Sequence, residues 1–174
     1  GIARCSRAWP LLHFWYLGVL HVSLGAMSRT AIVTGASRGI GLVTARLFCA
    51  AGWDTVSVSR TRPGGDSPPG LRHVGIDLLE RGWPAELDSW LAAELGAERR
   101  QLCVVHNAAQ MPKDSALGLS AQTLRDSLEL NVVAPAEMNR LLFPRMGEGS
   151  SVLYVGSTLS GAALAPPVTA APLG

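Results

Sequence analysis

The 174-residue chain reads as an α/β protein built on a doubly wound parallel sheet. Three observations predict this. Short apolar runs alternate with helical periodicities along the chain; the first run passes through a glycine-rich turn into a helix; and Leu102 to His106 is continuously apolar, as a strand buried on both faces must be.

Thr30 to Thr34 is a short run rich in β-branched residues and is the first expected strand. Ile40, Val43, Leu47 and Ala51 then recur at helical spacing, and Gly52 offers a C-cap. Gly35, Gly39 and Gly41 stand where the strand must reverse into the helix. Their missing side chains allow the tight turn and let a pyrophosphate approach backbone N–H groups at the helix N-terminus.

The octapeptide Thr34-Gly35-Ala36-Ser37-Arg38-Gly39-Ile40-Gly41 resembles the cofactor turn of the short-chain dehydrogenase/reductase family. The resemblance implies a Rossmann-like sheet ordered 3-2-1-4-5. It also implies a nicotinamide dinucleotide held by Gly35, Ser37, Arg38, Gly39, Ile40 and Gly41. The overlapping Gly35-Ala36-Ser37-Arg38-Gly39 also fits G-x-S-x-G, the nucleophile elbow of α/β-hydrolases, with Ser37 as nucleophile. Chemistry weighs against that reading. The only later histidines, His73 and His106, adjoin apolar runs that look like strands, and one strand rather than several precedes the elbow.

Length and composition fit one domain with a real core, able to bury roughly 70% of the surface its unfolded form exposes. A hydrophobic fraction of 48% with 16% charged residues describes a globular chain and excludes general disorder. A net charge of +2, with arginines scattered singly or in pairs, makes no basic stripe, so a nucleic-acid partner is not expected. Cys5, Cys49 and Cys103 show no C-x-x-C spacing and suit a reducing, cytoplasmic location. The four histidines form no cluster at ligand spacing, so no metal is expected.

Residues 1–26 stand apart. Trp9 to Leu24 is almost continuously apolar and follows Arg4 and Arg7, like a signal, yet Pro10, His13 and His21 interrupt it and it is too short to span a bilayer. Met27 lies three residues before the first strand, about where chains of the resembling family begin. The favoured reading is an extension outside the fold, with a signal or anchor and a structural segment as alternatives. No membrane association is expected unless this segment is a real anchor.

Thr55 to Ser59 is the second expected strand, broken by Arg60-Thr61-Arg62-Pro63-Gly64-Gly65. In dinucleotide folds an acid at this strand end binds the 2′-hydroxyl of NAD, whereas arginine accommodates the 2′-phosphate of NADP. Arg60 occupies that place and Arg38 can converge on the same phosphate, so the expected cofactor is NADP(H). Leu71 to Ile76 is the third strand, and the resemblance puts Asp77 beside the adenine ring. Pro84 opens a helix with Leu87, Trp90, Leu91 and Leu95 on its inner face. After the fourth strand, His106-Asn107-Ala108-Ala109 is similar to the family's N-N-A-G, of which Asn107 and Ala108 carry over as cofactor residues.

Ser120 is the expected N-cap of a long helix through Phe143, with Leu124, Leu128, Ala136 and Leu141 facing inward and a kink at Pro135. Asn131 stands where the family has a catalytic asparagine holding a water relay. Ser151 to Gly156 is the fifth strand and delivers Ser157, which matches the family's carbonyl-orienting serine. Beyond Gly161 the residues are rich in Ala and Pro. The expected organisation is thus an extension over 1–26, a dinucleotide-binding domain over 27–161 and a tail over 162–174.

The resemblance implies hydride exchange with a small carbonyl or alcohol substrate, in a complete member that forms homo-oligomers. That chemistry needs a tyrosine as proton donor and a lysine to lower its pKa. Tyr16 and Tyr154 are the only tyrosines and Lys113 the only lysine, so no Tyr-x-x-x-Lys pair exists in these residues. The expectation is a family member truncated or altered before that motif; the alternative is a non-catalytic NADP-binding module.

Overall fold

The computed structural model describes residues 29–65, 67–112 and 118–157. In chain order the elements are β1 (Arg29–Thr34), α1 (Gly39–Ala50), β2 (Asp54–Ser59), β3 (Leu71–Gly75), α2 (Trp83–Leu95), β4 (Gln101–His106), α3 (Ala121–Leu128), a π-helical turn (Glu129–Val133), α4 (Ala134–Leu142), a 3-10 turn (Phe143–Arg145) and β5 (Ser151–Tyr154). All five strands are parallel and ordered β3-β2-β1-β4-β5, the doubly wound order expected. The proposed extension over 1–26, Tyr16, Met27, Lys113 and the tail lie outside the described residues.

Alternation along the strands divides the core in two. Ile32, Val56, Val58 and Val104 face α2 and α4, meeting Leu87, Leu91, Leu95, Met138 and Leu142. Val33, Cys103 and Val105 face the other way and meet Ala45 of α1. A fully buried aliphatic side chain contributes about 1.5–3 kcal/mol, so the first cluster carries most of the stabilisation. At the sheet edge Arg72 of β3 pairs with Asp54 of β2 and with Glu94 of α2, and its guanidinium lies 5.5 Å from the Trp90 ring centre. This leaves Trp90 half-buried beside the three buried leucines of its helix.

Two helix faces differ from expectation. In α1 the large residues Ile40, Val43 and Leu47 are 66%, 54% and 66% exposed, and Gly41 and Ala45 are the buried residues. The small side chains bring the helix close to the sheet, so the apolar stripe that periodicity picks out is the outer one. The long helix after Ser120 begins as expected, the Ser120 hydroxyl accepting the Thr123 N–H at 3.0 Å. Its inward face does not follow the expected pattern: Leu124, Leu128 and Ala136 are exposed and Leu141 is partly so, while Ala134, Pro135, Met138 and Leu142 are buried.

The cause is the π turn. Pro135 has no N–H for the carbonyl one turn back, and just before it the helix widens, Ala134 N–H bonding the Glu129 carbonyl five residues away. One inserted residue rotates every later side chain by about 100° relative to a continuous α-helix. Leu124 and Leu128, before the turn, are exposed, whereas Met138 and Leu142, after it, are buried, so the two pairs stand on different faces. A widened turn stands where a simple proline kink was expected.

Candidate functional site

The C-terminal ends of β1 to β4 open onto a cleft of about 950 Å³. Its floor is set by glycine geometry. Gly35 adopts φ 66° and a Cβ there would lie 2.9 Å from Ala108 Cα. A Cβ on Gly41 would overlap the Asn107 amide nitrogen and sit 2.6 Å from the Gly35 carbonyl oxygen. Gly39, at φ 58°, has open space where its side chain would be, so a ligand can approach its backbone. The first turn of α1 has no side-chain cap and no acidic residue, which leaves its N–H groups and the positive end of the helix dipole available to an anion.

Substituting Gly41 by alanine pits a helix-propensity gain of about 1 kcal/mol against overpacking, at roughly 1–3 kcal/mol, and loss of Asn107 hydrogen bonds at about 1 kcal/mol each. The second group wins. Gly41→Ala is expected to lower the melting temperature by several degrees in a thermal unfolding scan; an unchanged or raised value would show that the turn tolerates a methyl group.

Thr34 ties the cleft together, and pattern reading alone did not single it out. Its hydroxyl oxygen accepts the Asn107 and Ala108 N–H groups, each at 2.9 Å, and donates to the Val105 carbonyl at 3.4 Å. The Asn107 amide nitrogen donates to the Thr34 and Gly35 carbonyls at 3.1 and 3.2 Å. Asn107 is thereby used as a brace of the glycine turn. The available signal was Thr34 itself, a polar side chain on a strand buried on both faces, which needs partners.

Gly35, Ser37, Arg38, Gly39, Ile40, Arg60, Asp77, Asn107 and Ala108 all line the cleft, and Gly41 lies beneath it against Asn107. Arg62 lines it too, a third guanidinium-bearing residue beside Arg38 and Arg60 in the lining. Asp77 accepts the Leu79 N–H at 3.1 Å through one carboxylate oxygen and faces Arg60 with the other, 3.8 Å from its guanidinium. Asn131 and Ser157 are not among the lining residues. The Asn131 amide closes a two-point bridge with Gln110, accepting its N–H at 2.9 Å and donating to its carbonyl at 2.8 Å. Gln110 does line the cleft, so Asn131 touches the lining from behind through these two bonds. Ser157 is exposed, three residues past β5.

Below the cleft, buried His106 shares a 2.9 Å hydrogen bond through Nε2 with Asn139 Oδ1, and Asn139 donates to the Tyr154 hydroxyl at 2.7 Å. The His106 and Tyr154 rings stand 4.8 Å apart. Burial pushes the His106 pKa below 6.5 and the Asn139 hydrogen bond opposes this. His73 is lowered too, by burial first and then by the Arg62 guanidinium, against a hydrogen bond with the Ser57 backbone.

Both imidazoles stay neutral in the fold at pH values where the unfolded chain binds protons. Their contribution to stability is complete above pH 6.5 and is lost as the pH falls from there toward the lowered folded pKa values. The melting temperature is expected to fall between pH 7.5 and 5.5, and less steeply in His106→Asn; equal slopes would remove His106 from this effect.

A cleft beside an uncapped helix N-terminus, at the carboxyl edge of a doubly wound parallel sheet, is the place where open α/β proteins hold their ligands. No family model matches the chain. It is 31% identical over 153 residues to L-xylulose reductase of Mesocricetus auratus, a match covering 83% of this chain and 59% of that protein. A short-chain dehydrogenase of Streptomyces avermitilis superposes with a TM-score of 0.66 at 26% identity, over 77% of this chain and 51% of the other. An oxidoreductase of the short-chain dehydrogenase/reductase family from Brucella ovis, solved with a partially ordered NAD, gives 0.55 at 29% identity, over 67% and 57%. The chain belongs to the short-chain dehydrogenase/reductase family. It spans 53% and 59% of the length of two curated relatives that it matches.

Proposed function

We propose that this chain supplies the cofactor-binding part of an NADP(H)-dependent oxidoreductase acting on a small carbonyl or alcohol substrate. One observation carries the reading: the uncapped N-terminus of α1 and the arginines 38, 60 and 62 meet around one cleft. The pyrophosphate fits over Gly39, where no side chain stands, against the N–H groups of the first helical turn. Arg38 and Arg60 hold the 2′-phosphate through charge-assisted hydrogen bonds. Asp77 takes the adenine side, and Ala108 keeps the end of β4 low enough for the ribose.

When bound, the nicotinamide supplies or accepts the hydride. Ser157 orients the substrate carbonyl by donating its hydroxyl proton as a hydrogen bond. Asn131 fixes the Gln110 loop at the cleft mouth through its two-point bridge. Neither of the two can serve as general acid, because a serine hydroxyl and an amide hold their protons too tightly near neutral pH. Tyr154, whose hydroxyl oxygen accepts the Asn139 amide N–H at 2.7 Å, does not line the cleft and is no substitute. Among the described residues the Ser37-centred hydrolase alternative finds no base, as the His106 ring bonds Asn139 and His73 lies within β3. Among the described residues no helix is long and apolar enough to cross a membrane.

The test is titration of the chain by nicotinamide fluorescence with NADPH and NADH. NADPH is expected to bind more tightly by roughly ten- to a hundredfold, the scale of one or two charge-assisted hydrogen bonds. Equal dissociation constants would sink the role given to the arginines.

A further inference from the structure

We infer that Asp77 is a specificity-determining residue that competes with the 2′-phosphate for Arg60 and so tempers the preference for NADP(H). The inference rests on the arginine reading above. Arg60 and Asp77 are placed opposite one another by the sheet. Ser59 ends β2 and pairs with Gly75 of β3, and the Ile76 N–H bonds the Ser59 carbonyl at 3.3 Å, which locks the two strand ends together. Arg60 and Asp77 are the next residue out on each side.

The two side chains differ in freedom. Asp77 is anchored by the Leu79 N–H and is 33% exposed, whereas the Arg60 side chain is 73% exposed. Their 3.8 Å separation is an ion pair without a close hydrogen bond. A guanidinium so placed must turn from a fixed carboxylate before it can fork onto a phosphate. That cost falls on a 2′-phosphate and not on a 2′-hydroxyl, so Asp77 lowers the ratio of the two affinities. Asn at position 77 keeps an oxygen for the Leu79 N–H and removes the charge.

The test uses the full chain and two small probes, 2′,5′-ADP and 5′-AMP, with dissociation constants by calorimetry. Asp77→Asn is expected to raise the preference for 2′,5′-ADP by roughly fivefold at low salt, about the value of an exposed ion pair, and by less at high salt. In an Arg60→Gln background the same substitution is expected to change the ratio little, because its target is gone. An unchanged ratio in Asp77→Asn overturns the inference, and so does an equal rise in both backgrounds, which would assign the effect to direct repulsion. The underlying reading fails separately: the unmutated chain and Asp77→Asn would then both show no preference for 2′,5′-ADP.

Discussion

Arg60→Asp is expected to turn the cofactor preference around, from NADPH to NADH. Arg60 stands at the first position beyond β2 and lines the cleft. The substitution removes a guanidinium that can fork onto the phosphate and installs a carboxylate that repels it, while the same carboxylate can accept hydrogen bonds from a ribose 2′-hydroxyl. A charge-assisted hydrogen bond contributes about 1.5–3 kcal/mol, so losing the bond alone costs NADPH roughly ten- to a hundredfold. The new carboxylate also meets Asp77 at close range, and part of the gain for NADH is offset by that like-charge contact. The check is the same fluorescence titration on the variant; retained NADPH preference would move the phosphate site to Arg38 and Arg62.

The larger effect concerns turnover. The 174-residue polypeptide is expected to reduce no carbonyl at an appreciable rate with NADPH, although it contains Asn131 and Ser157. Hydride arrival leaves an alkoxide that must be protonated, and a positioned general acid contributes about 10² to 10⁴ in rate. A second polypeptide, with the residues after Gly161 replaced by a segment carrying Tyr-x-x-x-Lys and the later strands of a short-chain relative, is expected to recover at least that factor. The assay follows NADPH oxidation over a panel of aldehydes and ketones. Equal rates for both polypeptides would refute the assignment of the missing proton donor and send the search back to Tyr154.

The parallel strands and the glycine turn were legible because both follow from strong local rules, and the order of the sheet came with the family resemblance. Buried parallel strands are continuous in apolar residues, and a strand cannot reverse into a helix over a phosphate without glycines at Gly35 and Gly39. Helix orientation was less legible. In α1 the residues that touch the sheet are the small ones, Gly41 and Ala45, which carry little weight in any hydrophobic pattern beside Ile40 and Leu47. After Ser120 the pattern broke at the π turn, because counting at 3.6 residues per turn assumes a register that Pro135 and the widened turn do not keep. Residues that the motifs name, such as Gly35, Ser37, Arg38, Gly39 and Arg60, line one cleft. Thr34 and Gln110 escaped because their contacts join segments far apart in sequence.

The hydroxyl of Thr34 joins residues 73 positions apart in the chain, and that fact bears on how the molecule assembles. β1, α1, β2 and β3 form from near neighbours, but the bond between Thr34 and Asn107 requires closing a long loop, and contacts of that separation are formed against a larger entropy loss. The cleft is lined from the ends of β1, β2, β3 and β4 together, so no partly assembled form presents it whole. Any ligand of the cleft therefore selects the finished sheet and, by mass action, holds the loop shut. Occupancy and folding are in this way a single equilibrium viewed from its two ends.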